Sequence, residues 1–258
     1  MARRDHYYNK AKQEGYRSRA AYKLKQLNET ADLIESGDTV VDLGAAPGGW
    51  LQVAAELAGP DGRVLGVDRQ RIDAVDQGEG AATVETLRGD LTDEETREAI
   101  TDRVGEVDAV LSDMAPNVTG EYGLDHARSV HLATIAFDVT REILAGGGDL
   151  VVKVFDGPDL DGLKADLNRE FDHVREVRPS ATRPSSSELY LVGKRRLTAP
   201  VRAGDELEIS IEDVGSEGDG IAKVEGFTVF VPDTETGETL RVRVTDVKPR
   251  FGFAERVS

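Results

Sequence analysis

From residue 39 to residue 194 the chain repeats one pattern: a short apolar run, a stretch with helical spacing, then another apolar run. Runs that are apolar nearly throughout, with no in-out alternation, suit strands covered on both faces, and strands separated by helices return to the same end of a sheet and lie parallel. The runs fall at 39–44, 63–68, 84–90, 107–113, 148–155, 173–179 and 188–194, with helical patterns at 50–57, 93–104, 126–144 and 160–170. The last two runs have no helix between them and read as a hairpin at one edge. A parallel α/β sheet with helices on both faces is therefore the expected core.

After "KRRLTAP" the texture changes to short alternating runs punctuated by Gly, Asp and Pro, the pattern of a small antiparallel β-barrel. The expected division is residues 1–196 and residues 197–258. Charge constrains the surroundings of both. The 258 residues carry 49 acids against 32 bases, a net charge of −17, and only nine of the bases are lysine. An acidic, arginine-preferring surface stays soluble where salt screens its self-repulsion, which points to a halophilic host. The chain has no cysteine, so thiolate metal sites and disulfides are excluded, and its four scattered histidines lack zinc-site spacing. No apolar run approaches membrane-spanning length and the N-terminus lacks a signal-peptide apolar region, so a soluble, cytoplasmic protein is expected. Residues 1–25 are the exception to the acidity, with eight bases (Arg3, Arg4, Lys10, Lys12, Arg17, Arg19, Lys23, Lys25) against Asp5 and Glu14, a local +6. Interleaved Tyr7, Tyr8, Tyr16 and Tyr22 make this arm suited to a phosphate backbone and stackable bases, although a short basic run is also what a solvated tail looks like.

The stretch "TVVDLGAAPGGW", residues 39–50, joins the first strand to the first helix that follows it, the crevice where open α/β sheets bind ligands. A dinucleotide fold would carry G-x-G-x-x-G here, with a pyrophosphate at the helix N-terminus. This chain has Gly44, Gly48 and Gly49, and Asp42 at the strand end would repel a pyrophosphate. It would suit S-adenosylmethionine, which presents an ammonium and a sulfonium. Asp68, ending the second strand, is spaced to accept hydrogen bonds from a ribose diol, and Asp90, after the third, from an adenine amino group. Each acid alone is an ordinary strand-end residue; three in succession point to the cofactor.

"RSRAAYKL", "VVDLGAAPGGW", "LRGDLTD", "LSDMAPNVTG", "VVKVF" and "RPSSSELYLV" resemble, in order and spacing, the FtsJ family of ribosomal RNA ribose 2′-O-methyltransferases over residues 7–194. The segment around "GDGIAKVEGFTVFVP" resembles a TRAM domain, a small β-barrel attached to RNA-modifying enzymes. The resemblance implies a Rossmann-like methyltransferase sheet followed by a TRAM/OB-like barrel, and methylation of a uridine ribose in large-subunit ribosomal RNA, free or within the subunit. It implies S-adenosylmethionine as cofactor, no metal and no membrane partner. It places Gly48 and Trp50 beside the cofactor and implies a catalytic set of Lys23, Asp113, Lys153 and Glu188.

The chemistry asks for such a set independently. A ribose hydroxyl is a weak nucleophile and needs a base to take its proton as it attacks the methyl. Lys153, a lone charge in an apolar strand, is assigned as that base, with Asp113 orienting it, Lys23 positioning the hydroxyl and Glu188 holding the lysines or the ribose. Other readings are an NAD-type oxidoreductase, a transfer RNA ribose methyltransferase and a non-catalytic RNA-binding protein. The missing G-x-G-x-x-G opposes the first and the complete tetrad opposes the last; the basic arm and the barrel do not separate the RNA substrates.

Overall fold

A computed structural model describes residues 6–75, 78–183, 185–215 and 218–257. Arg3 and Arg4 of the basic arm lie outside them. The rest of the arm is folded: it forms α1 (His6–Glu14) and α2 (Ala21–Ala31). In α2 the apolar positions Ala21, Leu24, Leu27 and Ala31 recur at helical spacing and are buried against the first strand and the helix that follows it.

Three of the arm's four tyrosines are committed to packing and hydrogen bonds rather than held ready for bases, while Tyr8 is exposed. Tyr22 is 4% exposed and its hydroxyl donates to Glu14. Tyr16 donates to Glu56, and Tyr7, Tyr16 and Tyr22 pack ring on ring at 5.4 and 5.8 Å. An amphipathic helix with a ready apolar partner gains more by burying its rings than by leaving them in solvent.

The large sheet comprises β1 (Thr39–Leu43), β2 (Arg63–Asp68), β3 (Thr83–Arg88), β4 (Val107–Ser112), β5 (Leu144–Phe155), β6 (Phe171–Val177) and β7 (Glu188–Arg196), in the order β3-β2-β1-β4-β5-β7-β6. The first five are parallel. The last two are antiparallel to each other, as a hairpin requires, and β7 inserts between β5 and β6 so that it also pairs antiparallel with β5. The covering helices are α3 (Gly49–Ala58), α4 (Glu94–Val104), α5 (Tyr122–Ile143) and α6 (Leu160–Glu170). Val40, Val41, Leu43, Val110, Leu111, Leu150 and Val151 are at 0% exposure, as strands covered on both faces must be. Two apolar clusters result, one on each face.

The C-terminal strands are β8 (Glu206–Ser210), β9 (Asp213–Val214), β10 (Gly220–Val224), β11 (Phe227–Val231), β12 (Thr239–Val247) and β13 (Phe251–Arg256). They form a second, curled sheet, β8-β12-β13-β11-β10-β9, around its own apolar cluster of residues between Leu197 and Ala254. It departs from the antiparallel expectation at one place, where β11 and β13 run parallel. β12 lies between these two strands in sequence and returns the chain to the same end. Ion pairs tie the C-terminal segment to the edge strand β6 and to α6: Lys248 to Asp172 at 3.5 Å and Arg202 to Glu170 at 3.5 Å.

Candidate active site

At the end of β1 the chain turns through Gly44 (φ +81°) and Gly48 (φ +104°), the latter capping α3. These left-handed conformations cost a residue with a Cβ, and at Gly44 a Cβ would also strike the Met114 side chain. Asp68 ties this turn to β2: its carboxylate accepts the Ala46 N–H at 3.0 Å and the Gln70 N–H at 2.7 Å. Asp90 accepts the backbone N–H and the hydroxyl of Thr92, at 3.1 and 2.8 Å, and pairs with Arg69 at 3.2 Å. The Thr92 hydrogen bonds first, then Arg69, hold Asp90 below the usual carboxylate range.

Gly44, Asp68, Asp90, Asp113, Met114 and Asn117 are among the residues lining a cavity of about 940 Å³ at the C-terminal ends of the strands. Three expected cofactor residues stand behind that lining. The indole of Trp50, 3% exposed, donates to the Ala20 carbonyl at 2.8 Å and lies 5.9 Å from the Tyr190 ring. Gly48 gives the backbone room beside the Arg17 guanidinium, which would meet a Cβ at 2.9 Å. Asp42, 1% exposed, has both carboxylate oxygens buried without a hydrogen-bond partner. Burial, then the neighbouring charges of Asp113 and Asp68, push its pKa well above the ordinary value. Contact between Asp42 and a ligand would need the wall to move, because its side chain is sealed from the cavity.

The four residues of the expected catalytic set meet beside the cavity, brought by four elements. Lys23 comes from α2, Asp113 follows β4, Lys153 is in β5 and Glu188 starts β7. The β5–β7 register pairs Lys153 with Tyr190 and Phe155 with Glu188. Cross-strand partners share a face and so do residues two apart, so Lys153, Tyr190 and Glu188 project to one side. Lys153 Nζ donates to Asp113 Oδ1 at 2.9 Å and to the Asp113 carbonyl at 2.5 Å. Lys23 Nζ lies 2.6 Å from Glu188 Oε1 and 3.8 Å from Asp113 Oδ1. Two ammoniums and two carboxylates make a neutral group, the condition under which charges this buried are tolerated. Burial pushes the Asp113 carboxyl up, but Lys153, Lys23 and the Tyr190 hydroxyl outweigh it and hold it below the ordinary range.

Tyr190 completes this network and was not singled out from sequence. Its buried hydroxyl donates to Asp113 Oδ1 at 2.6 Å and lies 3.3 Å from Glu188 Oε1. The available signal was its place two residues after Glu188, which in a strand puts both on one face. Burial, then Asp113 and Glu188, raise its pKa well above the usual phenol value, so it remains a donor.

A family model described as FtsJ-like methyltransferase matches residues 16–196, and one described as TRAM domain matches residues 200–257. The chain belongs to the FtsJ-like methyltransferase family. Among its relatives, the ribosomal RNA large subunit methyltransferase E of Natronomonas pharaonis is 66% identical, covering 99% of each chain. That of Haloarcula marismortui is 61% identical and covers 100% of each. Salt-adapted relatives fit the acidic, lysine-poor composition of this methyltransferase. A crystal structure described as a ribosomal RNA methyltransferase from Plasmodium falciparum superposes with a TM-score of 0.60 at 27% identity, covering 70% of this chain and 98% of that one. Among the described residues, no helix is long and apolar enough to cross a membrane, and no three histidine or carboxylate side chains are grouped as a metal ion would require.

Proposed function

We propose that this methyltransferase transfers a methyl group from S-adenosylmethionine to the 2′-hydroxyl of a ribose in large-subunit ribosomal RNA, the target nucleoside being a uridine. The observation that carries the reading is the neutral Lys–Asp–Lys–Glu group at the edge of an acid-lined cavity. The cavity residues fit the cofactor: Asp68 keeps lone pairs free for ribose hydroxyls, and Asp68, Asp90 and Asp113 line a negative region that favours a cation over a pyrophosphate. Gly44, Asp68, Asp90 and Asp113 would hold the cofactor directly, while Asp42, Gly48 and Trp50 would support them from behind. Bound there, S-adenosylmethionine supplies an electrophilic methyl group, and transfer forms the oxygen–carbon bond as the carbon–sulfur bond breaks.

The chain's own residues prepare the hydroxyl. We assign to Lys153, acting as the free amine after it has released its own proton, the removal of the hydroxyl proton, to Asp113 the orientation of Lys153, to Lys23 the positioning of the ribose and to Glu188 the anchoring of Lys23. Alignment supplies much of the remaining acceleration, because the donor is already activated. Residues 1–196 act as the catalytic unit and residues 197–258 as an RNA-contacting unit. In the latter, Phe230, Phe251 and Phe253 pack together at 5.5–5.9 Å, with Phe251 and Phe253 36% and 40% exposed. The substrate is large-subunit RNA, free or assembled in the subunit, in the cytoplasm.

Labelled methyl transfer to ribosomal RNA, followed by alkaline hydrolysis, tests the reading. A 2′-O-methyl group removes the nucleophile that hydrolysis needs, so label is expected in one alkali-resistant dinucleotide that is absent from RNA of cells lacking the gene. Label on a base, or in transfer RNA only, overturns it.

A further inference from the structure

Beside the tetrad, residues 118–124 carry three exposed apolar side chains: Val118 at 67%, Tyr122 at 60% and Leu124 at 38% exposure. Tyr122 and Leu124 are two residues apart at the start of α5 and so face different sides of it, which leaves the exposed Tyr122 ring as the aromatic surface of this segment. Its start is tied to the first turn of α5. Asp125, 6% exposed, accepts the Thr119 N–H at 2.8 Å, the Thr119 hydroxyl at 2.9 Å and the Gly120 N–H at 2.9 Å.

Tyr122 is tied to the catalytic strands. Tyr122 donates its hydroxyl to the Asp156 carbonyl at 2.7 Å, three residues beyond Lys153. The Asp156 N–H donates to the carbonyl of Ser187, the neighbour of Glu188, at 2.9 Å. Arg178 donates to Asp156 Oδ2 at 2.7 Å and to the Glu188 carbonyl at 3.4 Å. With its hydroxyl anchored, the Tyr122 ring is fixed in orientation and most of it faces solvent, while the half-exposed Arg178 guanidinium has further N–H groups to offer.

We infer that Tyr122 is a stacking platform for an unpaired RNA base next to the methylated nucleotide, and that Arg178 receives the adjoining phosphate. This rests on the proposed reaction. A ribose entering the tetrad brings its neighbours over this rim, and the surface there offers the Tyr122 ring with the Arg178 guanidinium near it, paired with Asp156 through one nitrogen and open at others, the combination that binds single strands without reading sequence. Base stacking also suits a −17 chain in high salt, where phosphate contacts alone are weakened by screening.

The test compares Tyr122→Ala, Tyr122→Phe and Tyr122→Trp in the full chain. With large-subunit RNA transcript, Tyr122→Ala is expected to lower kcat/KM about tenfold, mostly through KM for RNA, with S-adenosylmethionine affinity kept as the check of folding. Tyr122→Phe, which retains the ring without the hydroxyl, recovers most of the loss. Tyr122→Trp gives a rim tryptophan distinct from the buried Trp50, and its emission is quenched by a uridine dodecamer and not by a duplex of the same length. A kcat/KM for Tyr122→Ala within twofold of wild type overturns the platform, as do equal losses in Tyr122→Phe and Tyr122→Ala, which would make the hydrogen bond to Asp156 the working part, or absent quenching. Quenching in a protein that methylates no RNA would keep the platform and refute the reaction.

Discussion

Replacing Lys153 with methionine keeps the length of the side chain and removes the ammonium, and the structure sets the size of both consequences. Lys153 is 6% exposed and lies 2.9 Å from Asp113, so the lost attraction is about 6 kcal/mol at an effective dielectric constant of about 20. Lys23, 3.8 Å from the same oxygen, still supplies about 4 kcal/mol on that scale, and the Tyr190 hydroxyl remains at 2.6 Å. The cost of burying the Lys153 ammonium disappears as well. The loss of stability should therefore fall at the lower end of the about 3–5 kcal/mol that follows removal of one partner of a buried pair. For a protein of this size that is a drop in Tm of roughly 6–12 °C. Turnover should fall about 10²–10⁴-fold as the base is lost, while cofactor affinity by calorimetry changes by less than about threefold. Methyl transfer within tenfold of wild type, with the drop in Tm, would make Lys153 a structural charge. Cofactor binding lost in parallel with turnover would locate the defect in the cavity.

Asp68→Ala should weaken S-adenosylmethionine binding by about 1–3 kcal/mol, because the change removes ribose acceptors and frees the Ala46 and Gln70 N–H groups of the glycine turn; unchanged affinity by calorimetry contradicts it. Asp42→Asn tests a sign. Asp42 has its pKa raised on folding, so wild-type stability falls as pH rises from the ordinary carboxylate value near ~4 toward the folded value, and the variant escapes that fall. The variant's advantage in thermal melts should grow with pH over this window, and an advantage independent of pH refutes the assignment. Tyr190→Phe removes the hydrogen bond to Asp113 and should cost about 1.5–3 kcal/mol of stability and about tenfold in turnover with cofactor affinity kept. Wild-type values for both would show that Lys153 and Lys23 hold Asp113 unaided.

The strands and their order of use were legible because apolar runs such as those of β1 and β4 have to be buried on both faces wherever they occur in a sheet. Asp68, Asp90 and Asp113 were legible for a related reason: strand-end acids in a parallel sheet collect at one edge whatever the rest of the chain does. That the N-terminal arm folds into two helices and packs three of its tyrosines was not legible, because charge and tyrosine content describe what a segment offers, and only its apolar spacing against a partner says whether it folds down. Trp50 and Gly48 were placed beside the cofactor by likeness; that the Trp50 indole is enclosed by protein and that Arg17 crowds Gly48 depends on which way α3 faces once it packs.

By itself the sequence determined the alternation that builds the parallel sheet, the glycine turn at the end of β1 and the kinds of charged group available to a methyltransferase. Each is a property of a few consecutive residues. The tertiary structure alone decided that Lys23, 90 positions from Asp113, lies 3.8 Å from it. It likewise decided that β7 enters between β5 and β6, pairing Lys153 with Tyr190, and that Asp42 is sealed without a partner while Asp68 lines the cavity. These outcomes depend on strand insertion and helix docking, which minimise exposed apolar area over the whole chain, and no local stretch of residues carries that sum.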